Sequence, residues 1–258
     1  MAEQLGPLPR VAIVVADKTY RTIANDERRA QLLDDPDSLI VPYSADPVTQ
    51  IERVTTLRKH LYARDLMATD QLLVRNPYDI AAYAFADDAI ETFVKAKYYH
   101  LASIAAHLGA SSIKFVKVEI EQEKSDIAGK AKADVKIAKF DGEFARSMKN
   151  RLEGRFEAET ALGGKPVDVE GARAFMLERR LSNDPDVSGL IDLSATGNPV
   201  RTHRVKINGL RESTQTFKAG LELTTKLDLK LGGSGLFTRA AESISSIEVT
   251  TEIAWPKG

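Results

Sequence analysis

The chain has 258 residues, 43% hydrophobic and 28% charged, which is typical of a globular protein with one large or two small domains. Its 36 basic and 37 acidic side chains give a net charge of -1, so no overall charge attracts it to nucleic acid or to an anionic membrane. The absence of cysteine excludes disulfides, thiolate metal sites, a cysteine nucleophile and S-acylation.

The opening of the chain shows no signal-peptide pattern, and no stretch of the sequence shows the pattern of a membrane-spanning helix. The opening MAEQLGPLPR has no basic segment before an apolar core, and no stretch approaches about 18 uninterrupted apolar residues. We therefore expect no signal peptide and no transmembrane helix. The expected location is the cytoplasm, with membrane association on activation.

The N-terminal part, residues 1–110, is predicted to be rich in helices. RVAIVVA at 10–16 is a short buried strand or the start of a helix, because periodicity does not separate the two at this length. LIVPY at 39–43 is predicted to lie at a sheet edge, since Pro42 has no amide to donate. NPYD ends a short extended segment at 71–75. Helices are predicted over 20–33 and from Asp46 and Pro47 to about Leu66, the second with one apolar face made of Ile51, Val54, Leu57 and Leu61. A third helix is predicted over 87–108 and ends at Gly109. Its apolar stripe consists of Ile90, Phe93, Val94, Leu101, Ile104, Ala105 and Leu108.

From Ser111 onwards the apolar period shortens from about 3.6 residues to about 2, so 111–258 is predicted to be the sheet part of the protein. Strands are predicted over 113–122, 130–140, 149–162, 188–194, 201–209, 216–231 and 243–255. Val116, Val118 and Ile120 share one face of the first strand, and Val205 and Ile207 point inward from 201–209. Ile247, Val249, Ile253 and Trp255 are aligned in the last strand. A helix over 167–181, closed by the turn SNDPD, interrupts them, and GGSG at 232–235 is a flexible link.

The segment 216–231, TFKAGLELTTKLDLKL, has the most regular pattern of the chain. Its odd positions from Phe217 to Leu231 are apolar except for one threonine, and its even positions are polar, charged or glycine. A strict period of two predicts a strand with one face on a core and one in water, about 50 Å long at about 3.3 Å per residue. The predicted fold is therefore α+β, with a helix-rich N-terminal part packed on a large, twisted, mostly antiparallel sheet with long strands. The two parts, 1–110 and 111–258, form separate domains or one continuous domain.

Two groups of polar residues are candidate sites. Arg75, Tyr78 and Asp79 in RNPYD are candidates for a polar site, and the alternative is a proline turn. Lys130, Lys132, Lys136 and Lys139 crowd one predicted strand, so they are candidates to contact membrane lipid or other phosphate groups. The alternative for these lysines is a solvated face that prevents strands from pairing edge to edge.

No residue pattern predicts a metal, a cofactor or a known catalytic centre. His100 and His107 share a helical face but lie seven residues apart, whereas zinc-binding pairs on helices usually lie about three or four apart. The aspartates around 34–37 and 183–186 surround prolines and are explained by turns. We expect a non-enzymatic protein without cofactor, and an unrecognised enzymatic site in the N-terminal part is the third hypothesis.

The leading functional hypothesis is a pore-forming or membrane-associated effector. Long strands with alternating polarity at 130–162, 216–231 and 243–255 are suited to hairpins that enter a bilayer. In layout alone, over residues 110–255, the chain resembles the gasdermin and perforin-like pore formers, which implies self-association and a membrane lipid as partner. The alternative is a binding or assembly module that holds an apolar ligand or docks a partner protein on its sheet. No specific nucleic acid is expected as a partner.

Overall fold

The computed structural model describes residues 8–44, 51–122, 145–154, 160–196, 200–208, 214–229 and 244–256. In chain order these form β1 (Val11–Val15), α1 (Asp17–Ala24), α2 (Glu27–Ala30), β2 (Ser38–Pro42), α3 (Glu52–Tyr62), β3 (Gln71–Asn76), β4 (Asp79–Phe85), α4 (Ala89–His107), β5 (Ser112–Gln122), α5 (145–154), β6 (Thr160–Ala161), α6 (Val169–Glu178), α7 (Pro185–Ala195), β7 (Thr202–Asn208), α8 (Thr214–Leu227) and β8 (Ile244–Ala254). Short 3-10 turns at Gln31–Asp34 and Ala86–Asp88 precede β2 and α4.

The strands form two four-stranded sheets, with the orders β2-β1-β3-β4 and β6-β5-β8-β7. Among the described strands β1 and β2 pair in parallel, and the other pairs are antiparallel. Helices combined with mainly antiparallel sheets confirm the predicted α+β class. The strands are divided between two sheets, where the sequence predicted one large sheet.

The chain divides into two compact units that interleave in sequence. The first unit holds Met1–Thr92 and Glu212–Ala241, and the second unit holds Phe93–Arg211 and Glu242–Gly258. The sheet β2-β1-β3-β4 and α8 therefore belong to the first unit, and the sheet β6-β5-β8-β7 belongs to the second. The chain leaves the second unit after β7, contributes α8 to the first unit, and returns to form β8.

The run at 10–16 is a central strand of the first unit. All residues of β1 are buried, and β1 pairs with β2 on one side and with β3 on the other. A strand that is covered on both faces has no need of polar positions, which explains the sequence VAIVV. β2 lies at the edge of this sheet, which confirms the position predicted from Pro42.

Helix α3 covers one face of the first sheet. Its residues Val54, Leu57 and Leu61 are 0–2% exposed. They pack in a cluster with Ala12, Val14, Leu39, Val41, Leu73 and Tyr83. The predicted stripe is confirmed except for Ile51, which precedes the helix and is 40% exposed. The predicted helix start at Asp46 and Pro47 lies outside the described residues.

The predicted strand at 216–231 is wrong, because the structure shows helix α8 from Thr214 to Leu227. The helix contacts β1, β2 and β3 of the first sheet. Among the residues of α8 whose burial is described, 220 and 222–227, those buried are Gly220, Leu223, Thr224 and Leu227, at the i, i+3, i+4, i+7 spacing of a helix face. A period of two contains every i, i+4 pair, so Leu223 and Leu227 share a face in a strand and in a helix. The apolar surface of the first sheet selects the helix.

Two more predicted strands are helical. Residues 145–154 form α5, with Met148 and Leu152 buried one turn apart. Of the predicted strand 149–162, only Thr160–Ala161 is extended among the described residues. Residues 188–194 belong to α7, which begins with Asp184 as N-cap and Pro185 in the first turn. The turn SNDPD therefore also starts a helix, as an aspartate followed by proline favours.

The second sheet has one apolar face. Its buried residues on β7 and β8 include Val205, Ile207, Ile247, Val249 and Ile253, at 0–3% exposure. These positions confirm the strands predicted at 201–209 and 243–255 and their inward faces. The predicted strand 130–140 and the link GGSG lie outside the described residues.

Strand β5 confirms the prediction at 113–122 but not the predicted face of Val116. Val118 is buried, whereas Val116 is 39% exposed. The pairing of β5 with β8 skips Val116, between Phe115 and Lys117. Such a β-bulge inserts one residue and shifts the alternation, which places Val116 and Val118 on different sides.

Helices α4 and α6 confirm the helices predicted at 87–108 and 167–181. The predicted apolar stripe of α4 is 0–3% exposed throughout. Gly109 follows α4 with φ +75°, and a Cβ there would lie 2.4 Å from the carbonyl oxygen of Lys165. The left-handed conformation and the close approach both require glycine at this helix end.

Candidate functional site

Arg75, Tyr78 and Asp79 lie in the hairpin that joins β3 to β4. The Tyr78 amide donates to Asn76 Oδ1 at 2.9 Å, and Asp79 Oδ1 accepts from the backbone amide two residues further on at 3.2 Å. The Arg75 guanidinium donates to the carbonyl of Leu8. These hydrogen bonds stabilise the hairpin and the segment before β1, which agrees with the alternative of a proline turn. A binding role for the three residues stays a prediction.

The lysine cluster Lys130, Lys132, Lys136 and Lys139 lies outside the described residues. Its predicted contact with phosphate groups therefore stays a prediction as well.

Two histidines of α4, His100 and His107, lie against the neighbouring helix α6. His100 and His107 flank the ring of Phe175 on α6, with ring centroids 5.9 and 6.1 Å away. His107 Nδ1 lies 3.5 Å from Asp168 Oδ2. In the part of the chain that the structure describes, no three His, Asp or Glu side chains are placed together to hold a metal ion. The shared face of His100 and His107 thus joins α4 to α6.

A buried charged cluster links α4 to the start of α7. Lys97 Nζ lies 2.9 Å from Asp184 Oδ2 and 3.0 Å from Asp186 Oδ2, and the Lys97 and Asp184 side chains are 5% and 6% exposed. Burial lowers the pKa of Lys97, but the hydrogen bonds and charges of Asp184 and Asp186 outweigh burial and raise it. Asp184 Oδ1 also accepts from the amide of Val187 at 3.4 Å. A lysine held in its charged form by two carboxylates is a structural cross-link, not a nucleophile.

The second sheet consists of two antiparallel ribbons, β7–β8 and the short β5–β6, joined along β5 and β8. In the described residues β5 and β6 pair only at Ser112–Ala161 and Ile113–Thr160. Hairpin loops usually have about 2–5 residues. In this protein the two ribbons are closed by much longer connections, 123–159 and 209–243. Each connection contains a helix, α5 in the first and α8 in the second. Residues 149–154 of the first connection and 216–227 of the second, which the sequence predicted as strands, are therefore helical.

The face of the second sheet opposite the apolar one carries paired charges. Glu252 on β8 lies 2.9 Å from Lys114 Nζ on β5 and 2.8 Å from Arg204 Nε on β7. Lys206 Nζ lies 2.7 Å from Glu248 Oε2. The hydrogen bonds from Lys114 and Arg204 lower the pKa of Glu252, and the hydrogen bond to Glu248 raises the pKa of Lys206. The ribbons are thus apolar on one face and charged on the other.

An open groove of about 810 Å³ lies between α5 and this charged face. It is lined by side chains of both signs, including Glu119, Glu121, Arg146, Lys149, Lys206 and Glu248. Because positive and negative groups alternate around it, the groove does not select for a strongly charged ligand of one sign.

The apolar pattern of 217–231 has the same phase as the β7–β8 ribbon. The pairing of β7 with β8 runs from Thr202 opposite Ala254 to Asn208 opposite Glu248, so odd-numbered residues pair with odd-numbered residues. The residues of the apolar face in both strands are odd-numbered, and so are the apolar positions of 217–231. At this register Phe217 would lie opposite Arg239 and the turn would fall at Asp228. The odd-numbered apolar residues of 217–227 would then lie on the side of the apolar face, whereas Gly209, Arg211, Ser213 and Gln215 between the two runs are not apolar.

No protein-family model, curated protein or solved structure matches this chain. Among the described residues, no helix is both long enough and apolar enough to cross a membrane.

Proposed function

We propose that the protein is a non-enzymatic, pore-forming effector whose β7–β8 ribbon extends at a membrane as α8 changes from helix to strand. The observation that supports this proposal is that the odd-numbered apolar positions of 217–227 have the same phase as those of β7 and β8, although 217–227 is folded as part of helix α8. In the proposal this segment has two alternative folds, a helix in water and a strand at a membrane, as in fold-switching proteins whose two packings differ by only a few kcal/mol. The change in α8 is therefore the central step of the mechanism.

Helix α8 has a weak intrinsic preference for its own conformation. Its 14 residues include one glycine and four threonines. Glycine lowers helix propensity by about 1 kcal/mol relative to alanine, and threonine favours strands. Isolated helices shorter than about 12–15 residues are marginal in water even with better sequences. α8 thus depends on its packing against the first sheet.

In the extended form, 217–231 meets the requirements of a strand that enters a bilayer. Such strands need about 9–11 residues with alternating polarity, and the alternation here is longer. Leu223, Leu227 and the other odd-numbered residues would face lipid, while the even-numbered face, including Lys218 and Lys226, would face water. Unpaired strand edges are costly in lipid, so copies of the chain have to pair their ribbons edge to edge. Self-association is therefore part of the proposal.

The β5–β6 ribbon supplies a second hairpin in the same mechanism. Its connection, 123–159, carries alternating segments at 130–140 and at 152–158. Lys130, Lys132, Lys136 and Lys139 would contact anionic headgroups from this connection, since each lysine near an anionic surface contributes about 1 kcal/mol of attraction.

The test of the proposal is dye release from anionic and neutral vesicles, with and without limited proteolysis of the protein. We expect release from anionic vesicles, with oligomers on the lipid seen by microscopy. The absence of release under every condition would remove the pore function. Oligomers without release would favour the alternative, an assembly module.

An exchange of two neighbouring residues tests the change from helix to strand. Thr225 and Lys226 are both exposed in α8, so the double variant T225K/K226T keeps the composition, the charge and an exposed lysine near Glu222, which lies 3.8 Å from Lys226. In a strand, the exchange moves the lysine onto the lipid face, where a lysine costs about 2–4 kcal/mol per copy at the bilayer midplane and about 0–1 kcal/mol near the interfaces. We expect an unchanged melting temperature and strongly reduced dye release. Release equal to that of the unmodified protein would contradict the strand orientation.

A further inference from the structure

We infer that the sheet of the first unit inhibits the β7–β8 ribbon: α8, docked on β1 and β3, is held as a helix, and extension begins when α8 leaves this surface. The inference rests on the proposed function and adds the restraint that keeps the protein inactive in water.

The docking contact is close at Gly220. A Cβ built there would lie 3.2 Å from Leu72 Cδ2, 3.3 Å from Leu72 Cδ1 and 3.6 Å from Val11 Cγ1. Val11 and Leu72 alternate with Ala12 and Leu73 of the α3 cluster, so they point to the opposite face of the sheet. The first sheet is therefore covered by α3 on one face and by α8 on the other.

The docked surfaces are apolar on both sides. Val11 and Leu72 are 0% and 1% exposed, and Leu223 and Leu227 are 4% and 1% exposed. Removing α8 exposes all four side chains to water. The hydrophobic effect thus stabilises the docked helix and the sheet together.

An apolar contact of this kind is weakened by a lipid surface. Hydrophobic association between helices and sheets depends on water, and lipid tails are as apolar as the leucines they replace. The leucines of α8 lose little when they move from the sheet to lipid, and the strand pattern of 217–231 is then free to pair. A lipid bilayer is thus the trigger that the contact itself specifies.

The inference is tested by placing the same leucine at two positions of α8. In G220L the leucine overlaps Leu72 and Val11, although leucine has a higher helix propensity than glycine. In E222L the leucine replaces an exposed residue of the same helix. Overpacking of this size should raise the population of molecules with α8 undocked roughly tenfold to hundredfold. We therefore expect G220L to speed amide hydrogen exchange in α8 and around Leu72 by that factor. E222L should exchange like the unmodified protein, and exchange in α3 should stay unchanged in both.

The second readout is the β-strand content of the protein, measured by infrared spectroscopy as anionic vesicles are added. G220L should gain strand signal at a lower lipid concentration than the unmodified protein. Unchanged exchange in α8, or a freed α8 that gains no strand signal, would overturn the inference. If α8 is released and gains strand signal but no vesicle leaks, the inference about the restraint on α8 would stand and the pore function would be wrong.

A measurement on the unmodified chain covers the case in which G220L does not fold. Added anionic vesicles should remove the protection of α8 amides and leave that of α3 amides. Equal loss of protection in both helices would mean general unfolding and would contradict a specific release of α8.

Discussion

His60 on α3 is a buried residue whose two ring nitrogens both have partners. Nε2 donates to the Ala81 carbonyl at 2.6 Å, and Nδ1 accepts from Arg64 Nη1 at 3.1 Å. This arrangement requires the neutral ring with its hydrogen on Nε2. Burial lowers the pKa of His60 and outweighs the hydrogen bond to Ala81, and the charge of Arg64 lowers it further. The residue contributes to stability only while it is neutral.

Because of His60, the free energy of unfolding should therefore decrease as the pH falls. The pKa of the ring is 6.5 in the unfolded chain and lower in the folded protein, so between these values the unfolded chain binds more protons. The stabilisation is present above pH 6.5 and is lost as the pH falls toward the folded pKa. We expect the urea midpoint to drop between about pH 7.5 and pH 5, and to drop less in H60Q, which keeps a donor and an acceptor.

H203Q, on β7, is the control for His60, and it should keep the pH dependence of the unmodified protein. Identical pH slopes in H60Q and in the unmodified protein would show that His60 does not cause the drop.

At the scale of elements, the sequence predicted well those segments whose pattern fits one period. The stripe of α4 fits a helix and no strand, and the alternation in β7 and β8 gives the correct faces. In α8 the same leucines satisfy both periods, and the choice is made by Val11 and Leu72, far away in the sequence. Local patterns do not contain such contacts, so tertiary packing overrides them.

The candidate site was predictable in part. The strand-like alternation of 217–231 and its odd-numbered phase are visible in the sequence, and they are half of the observation that supports the proposed function. The other half, that the segment is a helix between two paired strands, needed the structure. Arg75, Tyr78 and Asp79 were selected as a candidate site because they are polar. Hydrogen bonds that stabilise the β3–β4 hairpin involve Tyr78 and Asp79 and give these two residues a structural role.

The buried face of α8 gives a prediction at the same scale. L223D and L227D place a charge at positions that are 4% and 1% exposed. Burying an unpaired charge costs several kcal/mol (about 3–5). K226D changes a side chain that is 60% exposed, so its effect on the free energy of unfolding should stay within about 0.5 kcal/mol. Urea denaturation measures all three, and equal losses would mean that the buried face of α8 is assigned wrongly.

At the scale of the whole molecule, the order of the chain couples the two units. β7 and β8 belong to the second unit, and α8 between them belongs to the first. In the proposed mechanism, extension of the ribbon therefore requires α8 to leave the first unit and join the sheet of the second. The sheet of the first unit, formed by residues near the N-terminus, would thereby control α8, which lies far from these residues in the sequence.

Because the units have separate sheets, we expect substitutions to destabilise one unit at a time, so that unfolding is not a single two-state transition. Trp255, the one tryptophan of the chain, belongs to the second unit, and its Nε1 donates to the Leu108 carbonyl at 2.8 Å. K97M leaves Asp184 buried without its counter-ion, which costs about 3–5 kcal/mol. The transition followed by Trp255 fluorescence should move to lower urea in K97M, while amide exchange in β1 and β3 stays unchanged.

The double variant K97M/D184N should recover part of this loss, because asparagine still caps α7 and carries no charge. L227D should do the reverse of K97M, speeding exchange in β1 and β3 without moving the Trp255 transition. If both substitutions shift both signals equally, the two units unfold as one. The release of α8 would then require the whole protein to open, and a local trigger at the docked face would not suffice.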